Sequence, residues 1–361
     1  MQYSEFVDYS KLDPVKKAAI SKFTPYLDAP KRIGVRILPE TIGESAVALE
    51  LPNSDYYLAF NVEGLGTKNI IADKMFLDKR GKGVKYFENI GLDNVAMSTN
   101  DLSSIGADPF VYGDILSTHK SDWFSSDEKT NSLFEGFRKA CEKLGMALPC
   151  GETPSLVGII QPGALDLAGA SIGLINPKKN LTVGQNMKAG DKIFGLASSG
   201  VHSNGISFIR KTLESLPEGY FTELPSGKIV GEEVLTPTTL YSKVLVDLVS
   251  STQINYMQPI TGHGWKKIMR NRKRLSYEID FVPEKPELFS FLQEKAGISD
   301  AEAYYTLNMG VGYVLMAPKE SAEMIFRICK KHNIVVWELG EVKDGEKCVK
   351  IKPKNVVFEE D

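Results

Sequence analysis

The pattern of apolar and polar residues predicts both strands and helices in the first half of the 361-residue chain. Strands are expected where apolar residues alternate or run together between Gly, Pro or Asn, and helices where they recur at three- and four-residue spacing. The predicted strands are 45–51, 56–62 and 109–115; the predicted helices are an amphipathic stretch at 15–26, a segment at 92–105 and a long helix after Ser125 and Ser126. Residues 146–149 look buried.

The pattern restarts after a polar, glycine-rich connection at residues 176–190. The second half is predicted to contain strands at 191–197, 310–316 and 335–339 and helices at 205–216, 239–250 and 319–332. We therefore expect two mixed domains of the α+β or α/β class, covering residues 1–175 and 176–361.

Composition narrows the class of function. Lys and Arg number 43 against 46 Asp and Glu, a net charge of −3, so the chain lacks the basic field that binds nucleic acid. Its four Cys show no C-x-x-C spacing, which disfavours a disulfide scaffold or a Cys-based zinc site. The first residues lack an apolar signal region, and no stretch reaches the roughly 18 apolar residues of a membrane span. We expect a cytoplasmic protein that binds neither nucleic acid nor membranes.

The first candidate site follows the second predicted strand, at Glu63-Gly64-Leu65-Gly66-Thr67-Lys68. Glycines let backbone N–H groups approach a polyphosphate, Lys68 supplies a positive charge, and Glu63 is a candidate ligand for a divalent cation. The segment is not a Walker A loop, which needs G-x-x-x-x-G-K-[ST]. A tight hairpin turn with solvated charges explains it equally well.

The second candidate lies on the predicted helix at 92–105. Asn100 and Asp101 follow Asp93 by seven and eight residues, and Met97 follows it by four, which places these side chains on one helix face. Two carboxylates and an amide suit Mg²⁺. A solvated polar face is the alternative, although the apolar neighbours make the helix look buried.

Two further loops combine glycine with hydrogen-bonding side chains. The segment 150–154 offers Glu152 as a ligand or as a solvated turn residue. The segment 198–205 joins a strand to a helix, whose N-terminus is a natural anion site. Ser203 or Asn204 could equally be a plain N-cap there, and His202 a loop histidine without a catalytic role. Glycine-lined turns at 261–264 and 307–312 are weaker candidates, because either could be a strand connection only.

Taken in order, these motifs resemble those of the phosphoribosylformylglycinamidine cyclo-ligase family, the aminoimidazole ribonucleotide synthetases, within the wider group of ATP-using synthetases and kinases that share its fold. The family's D-G-V-G-T-K is similar to 63–68, N-D-L-x-x-x-G-A-x-P to 100–109, G-G-E-T to 150–153, and S-S-G-x-H-S-N-G-x-S-x-x-R to 198–210. The resemblance extends from about Tyr3 to Val342 and covers nearly the whole chain.

The resemblance implies a homodimer in which the β-rich N-terminal domains form a shared barrel, each followed by an α/β sandwich-like C-terminal domain. It also implies that residues 1–175 form the domain that binds ATP and makes the dimer contacts. The implied reaction is ATP-dependent ring closure of formylglycinamidine ribonucleotide to aminoimidazole ribonucleotide in de novo purine biosynthesis. The formyl oxygen is phosphorylated, ADP and phosphate are released, and Mg²⁺ assists.

The resemblance also implies roles for individual residues. The residues implied for catalysis are His202, Lys68 and Asp101, and those for ATP and phosphate binding are Gly64, Gly66, Thr67, Lys68, Asn100, Gly151 and Thr153. The residues implied for substrate binding are Ser199, Gly200, Ser203, Asn204, Thr261 and Asn308, and those for the metal are Glu63, Asp93, Asp101 and Glu152.

The chain departs from the family motifs at four places. Glu63 replaces an Asp, Cys150 and His263 each replace a Gly, and 42–46 stands where the family has G-G-F-G. Two alternatives therefore stay open beside the cyclo-ligase: another ATP-dependent kinase or synthetase of the same superfamily, of the thiamine-phosphate kinase or selenide-activating type, and a catalytically silent homologue.

Overall fold

The computed structural model describes residues 8–81 and 85–360, which form two α/β layers, each built on one mixed sheet. The first sheet, a half-barrel, has the strand order β1-β2-β3-β6-β4-β5, with β4 and β5 parallel and all other neighbours antiparallel. Its strands are β1 (Arg36–Ile37), β2 (Val47–Glu50), β3 (Tyr57–Gly64), β4 (Asp108–Thr118), β5 (Ala147–Glu152) and β6 (Leu165–Ile175). The helices of this half are α1 (Tyr9–Phe23), α2 (Lys68–Leu77), α3 (Tyr86–Ser103) and α4 (Asp127–Leu144).

Helices α3 and α4 cover one face of the first sheet, and they approach each other closely through glycine. A Cβ on Gly91 would lie 2.3 Å from the Leu133 carbonyl oxygen, and one on Gly136 would lie 2.1 Å from that of Glu88. Both positions therefore need glycine for the helices to pack at this distance. On the strand side, the Asn61 amide of β3 donates to the backbone of α3 at Ser98 O (2.8 Å).

The opposite face of the first sheet is apolar, and residues 8–81 and 85–360 leave it partly exposed. Alternate residues of a strand point to opposite faces, so Ala59 and Asn61 are buried under α3 while Phe60 and Val62 are 39% and 61% exposed. Phe110 and Ile115 of β4 are also exposed. The barrel shared between two protomers stays a prediction.

The second sheet has the order β13-β12-β9-β11-β7-β10-β8, in which only β9 and β12 are parallel neighbours. Its strands are β7 (Lys192–Ala197), β8 (Tyr256–Pro259), β9 (Leu275–Ile279), β10 (Val311–Ala317), β11 (Val336–Asp344), β12 (Cys348–Ile351) and β13 (Val356–Glu359). Helices α5 (Ile206–Glu214), α6 (Val230–Val234), α7 (Ser242–Ser251), α8 (Glu287–Ala296), α9 (Asp300–Thr306) and α10 (Ala322–Lys331) complete this half.

One sequence-based interpretation is wrong. Residues 146–149 do not form a buried segment, because the chain enters β5 at Ala147 and all six residues of that strand are exposed. The reason is topological: β5 is the last strand of its sheet and pairs only with β4. Ser126 precedes α4 as predicted, although neither it nor Ser125 caps the helix with its side chain. Over residues 8–81 and 85–360, no helix combines the length and apolarity that crossing a membrane requires.

Candidate active site between the two sheets

The two halves of the chain meet where helix α3 packs against the segment 235–242, which precedes α7. The Asn100 amide donates to Thr239 O (2.8 Å) and its oxygen accepts from the Tyr241 N–H (2.9 Å). About two turns earlier in the helix, the Asp93 carboxylate accepts from the N–H and the hydroxyl of Thr238, at 2.7 and 2.6 Å. Side chains predicted to bind phosphate or metal therefore hold the backbone of the second half.

Lys68 completes this seam. Its ammonium lies 2.7 Å from Asp93 Oδ2 and donates to Thr236 O at 2.8 Å, and neither the Lys68 nor the Asp93 side chain is exposed. Burial lowers the pKa of Lys68 and raises the pKa of Asp93, while their mutual attraction opposes both shifts. The structure thus places Lys68 and Asp93 in contact with each other and with the seam.

A second pair of acidic side chains lies where β3 and α3 end. Burial, together with the nearby Asp101 charge, raises the pKa of Glu63 to about 8, and a hydrogen bond joins the two carboxyl groups. Glu63 is therefore largely protonated at neutral pH. The Lys267 ammonium lies 3.8 Å from Asp101 Oδ1 and donates to the Thr261 hydroxyl at 2.5 Å. The pair thus lies beside a buried cation.

Lys267 belongs to a basic segment that the motif comparison did not single out. Lys267, Arg270 and Arg272 lie in residues 266–274, of which six of nine are Lys or Arg. The Arg270 guanidinium donates to Gly43 O (2.8 Å) and the Ser45 hydroxyl (3.2 Å). Six basic residues directly after a glycine-lined turn were a visible signal for an anion site.

The segment 39–46 is held across the seam by this basic run. Arg272 donates to Pro39 O (2.7 Å) and Ile42 O (3.0 Å). The Glu44 carboxylate accepts from Tyr256 Oη at 3.1 Å, and burial raises its pKa although Arg270 opposes the shift. This segment, where the family has a glycine-rich loop, therefore packs against the second half.

His202 lies in the loop between β7 and α5 with its backbone in the left-handed region, at φ 59°. Its Nε2 accepts from the Ser199 N–H at 3.4 Å. Burial, with a smaller contribution from the Lys68 charge, lowers the pKa of His202 to about 3. The imidazole is therefore neutral at neutral pH and is a weak base, which is unfavourable for general base catalysis.

The loop around His202 is fixed by Asn308 and by the absence of a side chain at Gly312. Asn308 donates to Gly200 O (2.9 Å) and accepts from the Ser198 hydroxyl (3.1 Å) and the Gly310 N–H (2.9 Å). A Cβ on Gly312 would lie 2.5 Å from His202 Cε1. The glycine-lined turn at 307–312 thus supports the 198–205 loop.

A small cavity of about 10 Å³ lies at the centre of these groups, with room for roughly one water molecule. Its walls come from both halves of the chain: Ala96, Met97, Asn100, Asp101, His202, Asn204, Thr238, Pro259, Thr261 and Gly312. Four of the segments singled out in the sequence, 92–105, 198–205, 261–264 and 307–312, therefore converge here. Ser203 lies beside it, with its hydroxyl 3.4 Å from that of Thr238, whereas the Ser199 hydroxyl donates to Pro237 O (2.6 Å).

The remaining predicted residues lie elsewhere. Gly64, Gly66 and Thr67 form the turn into α2, in which Gly66 has the positive φ (80°) that favours glycine, and the Thr67 hydroxyl lies 3.3 Å from that of Ser207. Across the first sheet, Gly64 of β3 pairs with Ala168 of β6, Ala168 pairs with Ile115 of β4, and Ile115 pairs with Glu152 of β5. Gly151, Glu152 and Thr153 are thus three strands away, about 14 Å along the sheet.

The carboxyl groups of Glu63 and Asp101 are suitable ligands for a divalent cation. Two carboxyl groups close enough to share a proton are hard oxygen donors, and Mg²⁺ is usually bound by one or two carboxylates together with phosphate oxygens. Within 8–81 and 85–360, no group of three or more His, Cys, Asp or Glu is arranged to hold a metal. Asp93 is engaged by Lys68 and Thr238, and Glu152 is distant.

Comparison with known proteins places the chain in a family. Two domain models match it: the N-terminal domain of AIR synthase related protein over residues 43–175 and the C-terminal domain over 188–351. The phosphoribosylformylglycinamidine cyclo-ligase of Methanococcus vannielii is 33% identical over 94% of this chain and 91% of the relative. That of Clostridium perfringens (strain 13 / Type A) is 34% identical over 86% of this chain and 89% of the relative.

Solved structures share the fold at lower identity. AaThiL complexed with AMPPCP and TMP has a TM-score of 0.61 at 17% identity, covering 98% of this chain and 96% of that one. Hydrogenase maturation protein HypE in complex with ATP has a TM-score of 0.58 at 17% identity, covering 87% and 86%. The resemblance that the sequence motifs indicate is confirmed: this chain belongs to the AIR synthase related protein family of ATP-dependent enzymes.

Proposed function

We propose that this protein is an ATP-dependent cyclo-ligase that closes the imidazole ring of formylglycinamidine ribonucleotide. The observation that carries the proposal is the relationship to cyclo-ligases over 94% of the chain at 33% identity. The geometry adds support, because residues of both halves line one cavity at Asp101, and the Lys267 ammonium lies 3.8 Å from the Asp101 carboxylate. We assign ATP binding and dimerisation to residues 1–175 and the remaining substrate contacts to 176–361.

The proposed reaction has two steps. The γ-phosphorus of ATP forms a bond to the formyl oxygen while its bond to the β,γ-bridging oxygen breaks, releasing ADP. The amidine nitrogen then attacks the formyl carbon, and the carbon–oxygen bond breaks with departure of phosphate. The attacking nitrogen and the formamide nitrogen each lose one proton, and tautomerisation gives the aminoimidazole. Phosphate is a far better leaving group than oxide, which explains the use of ATP. Catalysis of such a transfer is mainly positioning and charge stabilisation.

Glu63 and Asp101 are the residues that would hold Mg²⁺ in this proposal. The ion would supply charge neutralisation at the phosphates. Because Glu63 has a raised pKa of about 8, the pair must give up its shared proton for both carboxylates to bind a cation. Lys267 and Arg270 flank the pair and are placed to offset the negative charge of transferred or departing phosphate.

In this account the role of His202 is positional. A histidine with a pKa of about 3 is uncharged at neutral pH, so we assign it the orientation of the 198–205 loop through the Ser199 N–H. Asn204 is the better candidate for a substrate contact. Its side-chain nitrogen has no hydrogen-bond partner among the residues that the structure describes, and the residue lines the cavity.

We further propose that the protein is a homodimer joined through the open face of the first sheet. Phe60 and Val62 of β3 and Ile115 of β4 present apolar surface there, and β5 leaves an unpaired edge. Exposed apolar sheet surface and free strand edges are features that proteins cover by association. A second copy of the same half-barrel would cover both.

The proposed function is tested by coupled ADP release from the purified protein with magnesium-ATP. ADP is expected only when formylglycinamidine ribonucleotide is added, in equal amount with aminoimidazole ribonucleotide. If the ribonucleotide does not stimulate ADP release, the cyclo-ligase assignment is wrong.

A further inference from the structure

The N-terminal half contains a second cavity, away from the domain seam. It has a volume of about 500 Å³ and lies between helix α4 and the strands β4 and β5, within the size range of small-molecule sites. Its lining residues are Asp114, Phe134, Phe137, Arg138, Cys141, Glu142, Met146 and Leu148. These residues lie on the helix-covered side of the sheet, opposite the apolar face that we assign to dimerisation.

Asp114 is the unusual member of this lining. Asp114 is only 9% exposed. No side chain among the described residues pairs with its carboxylate. Carboxylates buried to this degree are normally paired, because an isolated charge is costly to remove from water.

The strand β5 makes room for this carboxylate. Asp114 lies opposite Gly151 in the β4–β5 ladder, and a Cβ on Gly151 would lie 2.2 Å from Asp114 Oδ1. The glycine of the C-G-E-T segment is therefore needed by Asp114. The absence of a side chain at Gly151 thus leaves room for an acidic side chain to which the described residues supply no side-chain partner.

The charge around the cavity is negative. Arg138 is the only basic residue in the lining, and its guanidinium already donates to Glu135 (2.8 Å, twice) and Glu142 (2.9 Å). The lining therefore has two carboxylates, Asp114 and Glu142, and one guanidinium that is already paired. The walls are apolar and aromatic, from Phe134, Phe137 and residues of similar character. Aromatic ring faces attract cations.

We propose that this cavity binds a small organic ammonium ion with an aromatic or aliphatic body. The ammonium group donates to Asp114, while the body lies against Phe134 and Phe137. Burial raises the pKa of Asp114, and a bound cation favours its ionised form and supplies the missing partner. The site is separate from the ATP and substrate groups at the domain seam.

The test uses the full-length protein and isothermal titration with 2-phenylethylamine as the probe. Its matched neutral analogue is 2-phenylethanol, which has the same shape without the charge. We expect saturable binding of the amine and binding of the alcohol that is weaker by about 30-fold or more. Equal affinity for the two probes, or no saturable binding of the amine at millimolar concentration, would overturn the proposal.

Variants assign the interaction to named side chains. Asp114→Asn keeps the side-chain shape and is expected to weaken amine binding about 30-fold without changing binding of the alcohol. The matched control is Asp55→Asn, in the exposed β2–β3 turn, which should bind as the wild type does. An unchanged dissociation constant in Asp114→Asn would contradict the proposal.

Two further measurements keep the test decisive if Asp114→Asn does not fold. Phe134 is 46% exposed, so Phe134→Ala leaves the core intact and is expected to weaken amine binding about threefold through the lost aromatic face. Acetyl-lysine methylamide carries an ammonium without an aromatic ring and should bind more weakly than 2-phenylethylamine. Tighter binding of the lysine derivative would assign the cavity to a lysine of a partner protein instead.

Discussion

Lys68 and Asp93 form a buried ion pair, with Nζ 2.7 Å from Oδ2, at the contact between the two halves of the chain. Lys68 begins α2 and Asp93 lies in α3, and both also bind backbone atoms of the segment that leads into α7. Thr238, which donates twice to Asp93, is 145 residues away in sequence. The pair therefore stabilises the relative position of the two sheets on which the cavity depends.

Removing one member of this pair should be far more costly than removing both. Lys68→Met leaves a buried carboxylate unpaired, so we expect the free energy of unfolding to fall by about 3–5 kcal/mol. Asp93→Asn keeps an acceptor for Thr238. The double variant with Lys68→Met and Asp93→Asn should lose less free energy of unfolding than the sum of the two single variants. Chemical denaturation of the wild type, the two single variants and the double variant completes this double-mutant cycle.

The control for this cycle is Arg274→Ala, whose partner Glu346 is as exposed as Arg274 itself. Its effect on the free energy of unfolding should stay within about 0.5 kcal/mol. Strict additivity of Lys68→Met and Asp93→Asn would contradict a coupled pair.

The neutral state of His202 predicts an acid-sensitive stability. The folded-state pKa of about 3 lies below the ordinary value of 6.5, so the unfolded chain binds more protons and stability falls as the pH decreases below about 6.5. Between pH 7 and pH 5 this residue should account for about 2 kcal/mol of lost stability. Denaturation curves at a series of pH values should show a smaller loss of stability in His202→Asn, because the Asn side chain does not titrate. Asn is chosen because it also tolerates the left-handed backbone.

His119→Asn is the matched control, since His119 is half-buried and its ring contacts a backbone carbonyl. It should keep the acid-dependent loss of the wild type. If His202→Asn loses stability with falling pH as steeply as the wild type does, the account of a buried neutral His202 is incorrect.

The buried strands of the fold were the easiest to predict from sequence. The predicted strands 191–197 and 310–316 differ by one residue at most from β7 and β10, whose apolar runs are covered on both sides. The short strands β12 and β13 were missed, because a run of four residues is too short to carry a clear periodic signal. Edge position explains the misjudged exposure of β5.

The site was harder to predict because its contacts cross the chain. Helical spacing placed Asp93 and Asp101 on one face of a helix, and both residues lie in α3. The spacing could not say which neighbours each would meet. Asp93 meets Lys68 and Thr238, whereas Asp101 meets Glu63 and Lys267. These partners come from segments that only the tertiary fold brings together.

Arg270 should control the mobility of residues 39–46. Arg270→Lys keeps the charge but loses the planar set of donors that binds Gly43 O and Ser45 Oγ. Amide hydrogen exchange in 39–46 should become about tenfold faster, the expected effect of losing one or two hydrogen bonds. Arg274→Lys, in the same basic segment, should leave that exchange unchanged; equal effects of both variants would argue against the tether.

The proposed dimer depends on the apolar face of the first sheet. Val62→Glu places a charge on that face, where Val62 is 61% exposed in the single chain, and should convert a dimer to monomers in light scattering. Val335→Glu changes a comparably exposed valine that precedes β11 and should remain dimeric. A dimeric Val62→Glu protein would place the interface elsewhere.

The most direct test of the account is the rate of substrate-dependent ADP release by Asp101→Asn as a function of magnesium concentration. If Asp101 and Glu63 hold the cation, the variant should lose about 100-fold in rate, the usual cost of removing a group that stabilises transition-state charge. Asp122→Asn, at an exposed position, should behave as the wild type. Full activity of Asp101→Asn at the same magnesium requirement would contradict the placement of catalysis at the domain seam.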